Sequence, residues 1–176
     1  MLKPLLFFCL FCLINLTSCT TQTNPEAASL NTKLGIAYLK ADQFSKAKEK
    51  LLLAEQEDPH SPEALGSLAY FYEITHHIKT ANSYYYQSIK HGSQSASLIN
   101  NYAVFLCKQK QYALAISYFL KAANLTSNLN PAETYENAGL CALKIPDKIQ
   151  ANSFFRLAAQ NAPQHLEIKS DFNEKP

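Results

Sequence analysis

Small and large apolar side chains recur along this chain at one interval. Ala47, Ala81 and Ala115 stand 34 residues apart, and Ala151 follows after 36. With Ala47 as position 20 of a 34-residue unit, the neighbouring slots fill in register. The first unit, 28–61, carries Leu34, Gly35, Tyr38, Leu51 and Ala54 at positions 7, 8, 11, 24 and 27, with Pro59 at 32. Unit 62–95 has Leu68, Ala69, Tyr72, Tyr85 and Ser88 in those slots, and unit 96–129 has Tyr102, Ala103, Leu106, Phe119 and Ala122. Unit 132–165 gives Ala138, Gly139, Ala142, Phe155, Ala158 and Pro163. Small residues at 8, 20 and 27 let two helices of a hairpin approach closely, while large residues at 7, 11 and 24 fill the space between hairpins. No unit can bury its apolar face alone, so stability comes from stacked neighbours. The pattern predicts an all-α solenoid of four helical hairpins. Four glycines and no period-2 alternation leave little room for a sheet.

Local signals agree with those boundaries. Asn130-Pro131 with Glu133 reads as an N-cap, a first-turn proline and an acidic third position. Ser61-Pro62-Glu63 and Asn24-Pro25-Glu26 make similar starts, and Pro59 and Pro163 close second helices. The period and its small–large pattern are similar to tetratricopeptide repeats. That resemblance implies a scaffold holding a protein partner in its concave face. In such domains positions 2, 5, 6, 9, 12 and 13 of each first helix line the groove. Position 9 here is Ile36, Tyr70, Val104 and Leu140, an apolar seam. Position 6 is Lys33, Ser67, Asn101 and Asn137, a slot where peptide-binding members often use asparagine to grip ligand amides. Position 5 adds Thr32, Gly66, Asn100 and Glu136, and position 13 adds Lys40, Ile74, Lys108 and Lys144. Such a seam suits an amphipathic helix or an extended segment. The asparagines can equally cap or bridge neighbouring helices.

The N-terminus reads as an address. After Lys3, Leu5 to Leu16 is an apolar run of twelve residues interrupted only by Asn15. It is shorter than the roughly 20 residues a membrane-spanning helix needs and fits a secretory signal. Leu16-Thr17-Ser18-Cys19 resembles a bacterial lipobox, which implies a signal peptide over 1–18 and acyl chains, palmitate among them, on Cys19. Two or three chains at about 0.8 kcal/mol per methylene hold firmly where one does not. An ordinary signal peptide or an uncleaved anchor are the alternatives. Thr20, in place of the aspartate that favours inner-membrane retention in such lipoproteins, points to the outer membrane. Residues 19–27 are then a tether between lipid and first unit, and 166–176 a short tail.

Of five cysteines, Cys9 and Cys12 fall in the signal and Cys19 carries lipid, leaving Cys107 and Cys141 as a pair. They occupy positions 12 and 10 of adjacent first helices, so they form either a disulfide, which an oxidising periplasm preserves, or two buried thiols. Loss of Lys3, the one charge in 1–18, lowers the net charge from +2 to about +1, which does not suit nucleic acid. The sequence contains no nucleophile elbow, phosphate-binding glycine loop or metal-ligating histidine helix. No enzyme, cofactor, metal or small-molecule substrate is expected. His76-His77 reads as a solvated turn, and in Tyr84-Tyr85-Tyr86 the middle residue reads as core.

Two segments narrow the resemblance. Asn100-Asn101-Tyr102-Ala103-Val104-Phe105-Leu106-Cys107, followed by Tyr112, is similar to the third-repeat motif of the PilF/PilW family. Glu136-Asn137-Ala138-Gly139-Leu140-Cys141-Ala142 is similar to its fourth, and the two extra residues between units three and four fall where that family has them. The resemblance implies a periplasm-facing outer-membrane lipoprotein of type IV pilus biogenesis, a pilotin that holds a secretin subunit and aids its assembly. It also supports the disulfide, since both cysteines lie within the matching motifs. Members of the family usually continue for two more repeats. A second expectation is a tetratricopeptide lipoprotein recruiting another envelope complex, such as peptidoglycan enzymes or the outer-membrane insertion machinery.

Overall fold

The computed structural model describes residues 23–146 and 148–162. The expected signal peptide 1–18 and lipidation at Cys19, together with Pro163 and the tail 166–176, lie outside the described residues. Eight helices follow in order among them: α1 Pro25–Lys40, α2 Phe44–Glu57, α3 Pro62–Ile74, α4 Ile78–His91, α5 Ala96–Lys108, α6 Tyr112–Ala123, α7 Pro131–Ala142 and α8 Lys148–Asn161. None is long and apolar enough to cross a membrane. Consecutive pairs form four hairpins. Each first helix touches the next first helix, and each second helix touches the following first helix, whereas no two second helices meet among the described residues. First helices are therefore crowded on the inside of the curve and second helices are spread on the outside. That places α1, α3, α5 and α7 on the concave face.

Asn24, Ser61 and Asn130 cap α1, α3 and α7 by accepting from Ala27 N, Ala64 N and Glu133 N, each with proline in the first turn. α1 begins at Pro25, so residues 25–27 belong to its first turn. Within hairpins one to three the turn is a Schellman motif. Asp42, His76 and Lys110 are left-handed, with φ of 55°, 62° and 62°, and the next N–H donates back to Tyr38 O, Tyr72 O or Leu106 O. The fourth hairpin has Pro146 in that slot. Its ring fixes φ negative, so the chain leaves α7 early, at Ala142, and five residues link it to α8. The extra residues between hairpins three and four extend the 124–130 connection. Ser127 Oγ there accepts from Ala96 N, capping α5, and Asn128 Nδ2 donates to Ala122 O and Thr134 Oγ1.

Positions 8, 20 and 27 are buried in every repeat. The contacts explain the size limit at position 8. A Cβ on Gly35 would lie 2.5 Å from Leu51 Cδ2, and one on Gly139 would lie 2.7 Å from the Phe155 ring. Tyr102, Phe105, Phe119 and Ile99 build the main core across hairpins two to four, and Leu39, Leu51, Leu68 and Phe71 a smaller one between hairpins one and two. Leu34 departs from the expected filling role and is 38% exposed, since no described helix precedes α1. Tyr85 is core, Tyr84 is half-buried and stacked on Tyr72, and Tyr86 is exposed. His76 supplies the left-handed residue of its turn, and His77 Nδ1 lies 3.2 Å from Thr75 Oγ1.

Candidate concave binding groove

The position-9 seam faces outward as the spacing requires. Ile36, Tyr70 and Leu140 are 36%, 47% and 49% exposed, and Val104 between them is half-buried. Standing at the same position of successive first helices, these side chains form one line across the groove. At repeats one to three the seam deepens into a cleft of about 430 Å³, lined by Ile36, Leu39, Tyr70, Leu98, Asn101, Lys40 and Glu63 among others. Gly66 lines it too and sits in close packing, since a Cβ there would stand 3.1 Å from both Leu98 Cδ2 and Ser88 Oγ.

The two asparagines singled out by spacing take different roles. Asn101 is exposed and reaches the cleft. Asn137 Nδ2 donates to Asn100 Oδ1 at 3.4 Å, so this pair bridges α5 and α7. Thr32 is buried and donates to Ala28 O, which removes it from the groove. Cys107 and Cys141 are joined, with Cα atoms 5.9 Å apart, and tie the same two helices together.

Sequence spacing did not reveal the polar network beneath the seam. Glu73, with its side chain only 10% exposed, receives Lys108 Nζ at 2.7 Å on one oxygen and the Tyr85 hydroxyl at 2.7 Å on the other. Glu73 and Lys108 are 35 residues apart, one repeat plus one, and that interval was the available signal. Burial first, then the bond to the Glu73 carboxylate, pushes the Tyr85 hydroxyl far above its ordinary range. Burial and Glu55 likewise push Tyr84 up to about 12. Tyr102 is raised, chiefly by burial. Phenols held neutral in this way act as donors and packing surfaces. Among the described residues no group of three or more histidine, cysteine or acidic side chains is placed to hold a metal.

No protein-family model matches the chain. It is 31% identical over 152 residues to the type IV pilus assembly protein PilF of Pseudomonas aeruginosa, covering 81% of this chain and 60% of PilF. The solved structure of Pseudomonas aeruginosa PilF superposes with a TM-score of 0.72 at 30% identity, covering 77% of this chain and 61% of PilF. PilW, described as a widely conserved type IV pilus biogenesis factor, shares the fold with a TM-score of 0.73 at 24% identity, covering 81% of this chain and 65% of PilW. The chain thus spans about three fifths of the length of PilF. It is a tetratricopeptide-repeat protein homologous to PilF and built on the fold that PilF and PilW share.

Proposed function

We propose that this chain is a non-catalytic scaffold in type IV pilus biogenesis, anchored in the outer membrane through acylated Cys19 and facing the periplasm. Its work is to hold a secretin subunit through the concave groove, aiding that subunit's localisation and assembly or the stability of the pilus. Homology to PilF over 81% of the chain carries the pilus reading. The exposed seam of Ile36, Tyr70, Val104 and Leu140 supports the binding mode, because contiguous apolar surface rimmed by polar groups marks interaction sites. Tethering on lipid raises the effective concentration of groove and partner in one layer without any new contact.

Deletion in cells encoding the chain tests this. The proposal expects loss of secretin multimers from the outer membrane, restored by the wild-type chain and not by Cys19→Ala. Normal multimers and pili in the deletion strain would refute it. In the second reading the same apolar seam recruits peptidoglycan enzymes or the outer-membrane insertion machinery. It expects normal pili together with an envelope defect.

A further inference from the structure

The two rims of the groove carry opposite charge. On the rim built from helix N-termini stand Glu63 and Glu133 at position 2, with Glu136 at position 5, all exposed. At the C-terminal ends of α1 and α5 stand the position-13 lysines Lys40 and Lys108, and Lys144 follows two residues past the end of α7. Lys108 is already paired with Glu73. Lys40 and Lys144 have no ion pair among the described residues, and neither do the three glutamates, although Glu133 accepts from Asn130 Nδ2. Charges of these signs suit the helix dipoles, which accounts for their placement but leaves their outward faces open. Lys40 and Glu63 line one cleft together, on opposite sides of Ile36 and Tyr70. Lys33 and Asp42 run against the pattern in repeat one, so the contrast rests on the residues named.

Dimensions select the ligand. Positions 2 and 13 are eleven residues apart, about 16 Å along a helix at 1.5 Å per residue. A helix with its side chains is about 10–12 Å wide, so the long rim side chains close the remaining distance of about 4–6 Å by leaning inward. It offers a stripe to the seam and a flank to each rim, whereas an extended strand, whose side chains alternate between two opposite directions, does not face the seam and both rims at once. Four first helices at about 8–10 Å per interaxial step put about 24–30 Å between the ends of the seam, the length of about sixteen to twenty helical residues.

We propose that the concave face accepts an amphipathic helix of about sixteen to twenty residues with oppositely charged flanks, the estimates being those of helix rise and packing. Its apolar stripe lies on Ile36, Tyr70, Val104 and Leu140. Its acidic flank faces Lys40 and Lys144, and its basic flank faces Glu63, Glu133 and Glu136. Turning such a helix end for end exchanges its flanks, so the rims set the direction in which the partner lies. This deepens the groove reading and rests on it.

Three synthetic 20-residue helices sharing a leucine stripe test the inference: one with glutamate on one flank and lysine on the other, one with glutamate on both, one with lysine on both. Each is passed over the full-length chain captured on a sensor surface, with the Tyr70→Asp variant in the reference channel. At low salt the mixed helix binds most tightly, by about fivefold, the scale of two exposed ion pairs, and the advantage fades as salt screens the rims. Lys40→Glu with Lys144→Glu makes both rims acidic and moves the preference to the all-lysine helix, with helicity by circular dichroism confirming the fold. An unchanged order in that variant overturns the charge reading and leaves the groove standing. No signal above the Tyr70→Asp channel for any helix overturns helix binding in the groove as well.

Discussion

Reducing the Cys107–Cys141 bond isolates one contribution to stability. The bridge closes a loop of 34 residues between α5 and α7. In the chain-entropy account, a loop of that length removes about 12.6 cal/mol/K from the unfolded chain, or about 3.8 kcal/mol at 25 °C. For a chain of this size each kcal/mol moves Tm by about 2–4 °C, so the oxidised protein melts about 10 °C higher than the reduced one. Cys107→Ser is the cleaner variant, since Cys107 is half-buried and Cys141 only 2% exposed. Urea unfolding of wild type and variant, each with and without reductant, gives four midpoints. Oxidised wild type stands apart and the other three coincide within about 1 kcal/mol, the scale of an ordinary substitution. If Cys107→Ser lost as much relative to wild type under reductant as without it, packing of the sulfur, not closure of the loop, would be the source.

Four further outcomes follow from the geometry. Lys110→Gly stabilises by about 0.5–1 kcal/mol in urea, because a lysine at φ 62° bears a left-handed strain glycine lacks; a loss would refute the turn geometry. Lys108→Met costs about 1–2 kcal/mol by leaving the Glu73 carboxylate paired only with Tyr85, and double-mutant cycles with Glu73→Gln measure the coupling. Tyr84 keeps its proton to about pH 12 when folded against an ordinary 10. Folded chains therefore hold more protons than unfolded ones between those values, and stability, unaffected below pH 10, falls as pH rises through that window. Absorbance at 295 nm then shows late ionisation among the ten tyrosines that Tyr84→Phe reduces; uniform titration near pH 10 with helicity intact contradicts it. Asn101→Ala weakens partner binding about tenfold at unchanged Tm, as loss of a charge-free amide grip allows.

The solenoid was legible because its cause is periodic. Each alanine of the ladder sits at the same helix crossing and meets the same size limit, so the interval alone places four hairpins. The exceptions are set by partners that no interval records. Pro146 breaks the turn pattern through its ring, and Leu34 is exposed because no described helix precedes α1. Asn101 and Asn137 share a slot, yet only Asn137 has an asparagine, Asn100, within reach across the repeat junction. The cleft at repeats one to three joins Leu39, Gly66 and Leu98 to the seam, a grouping across three helices that no interval records.

The most direct test of the account is capture of the partner from detergent-solubilised outer membrane by the full-length chain, with Tyr70→Asp as the paired control. The account predicts a secretin subunit retained by the wild-type chain and lost from the variant, whose melting temperature is unchanged. A secretin held equally by both would move binding off the concave face, and no secretin with either would contradict the pilus scaffold itself.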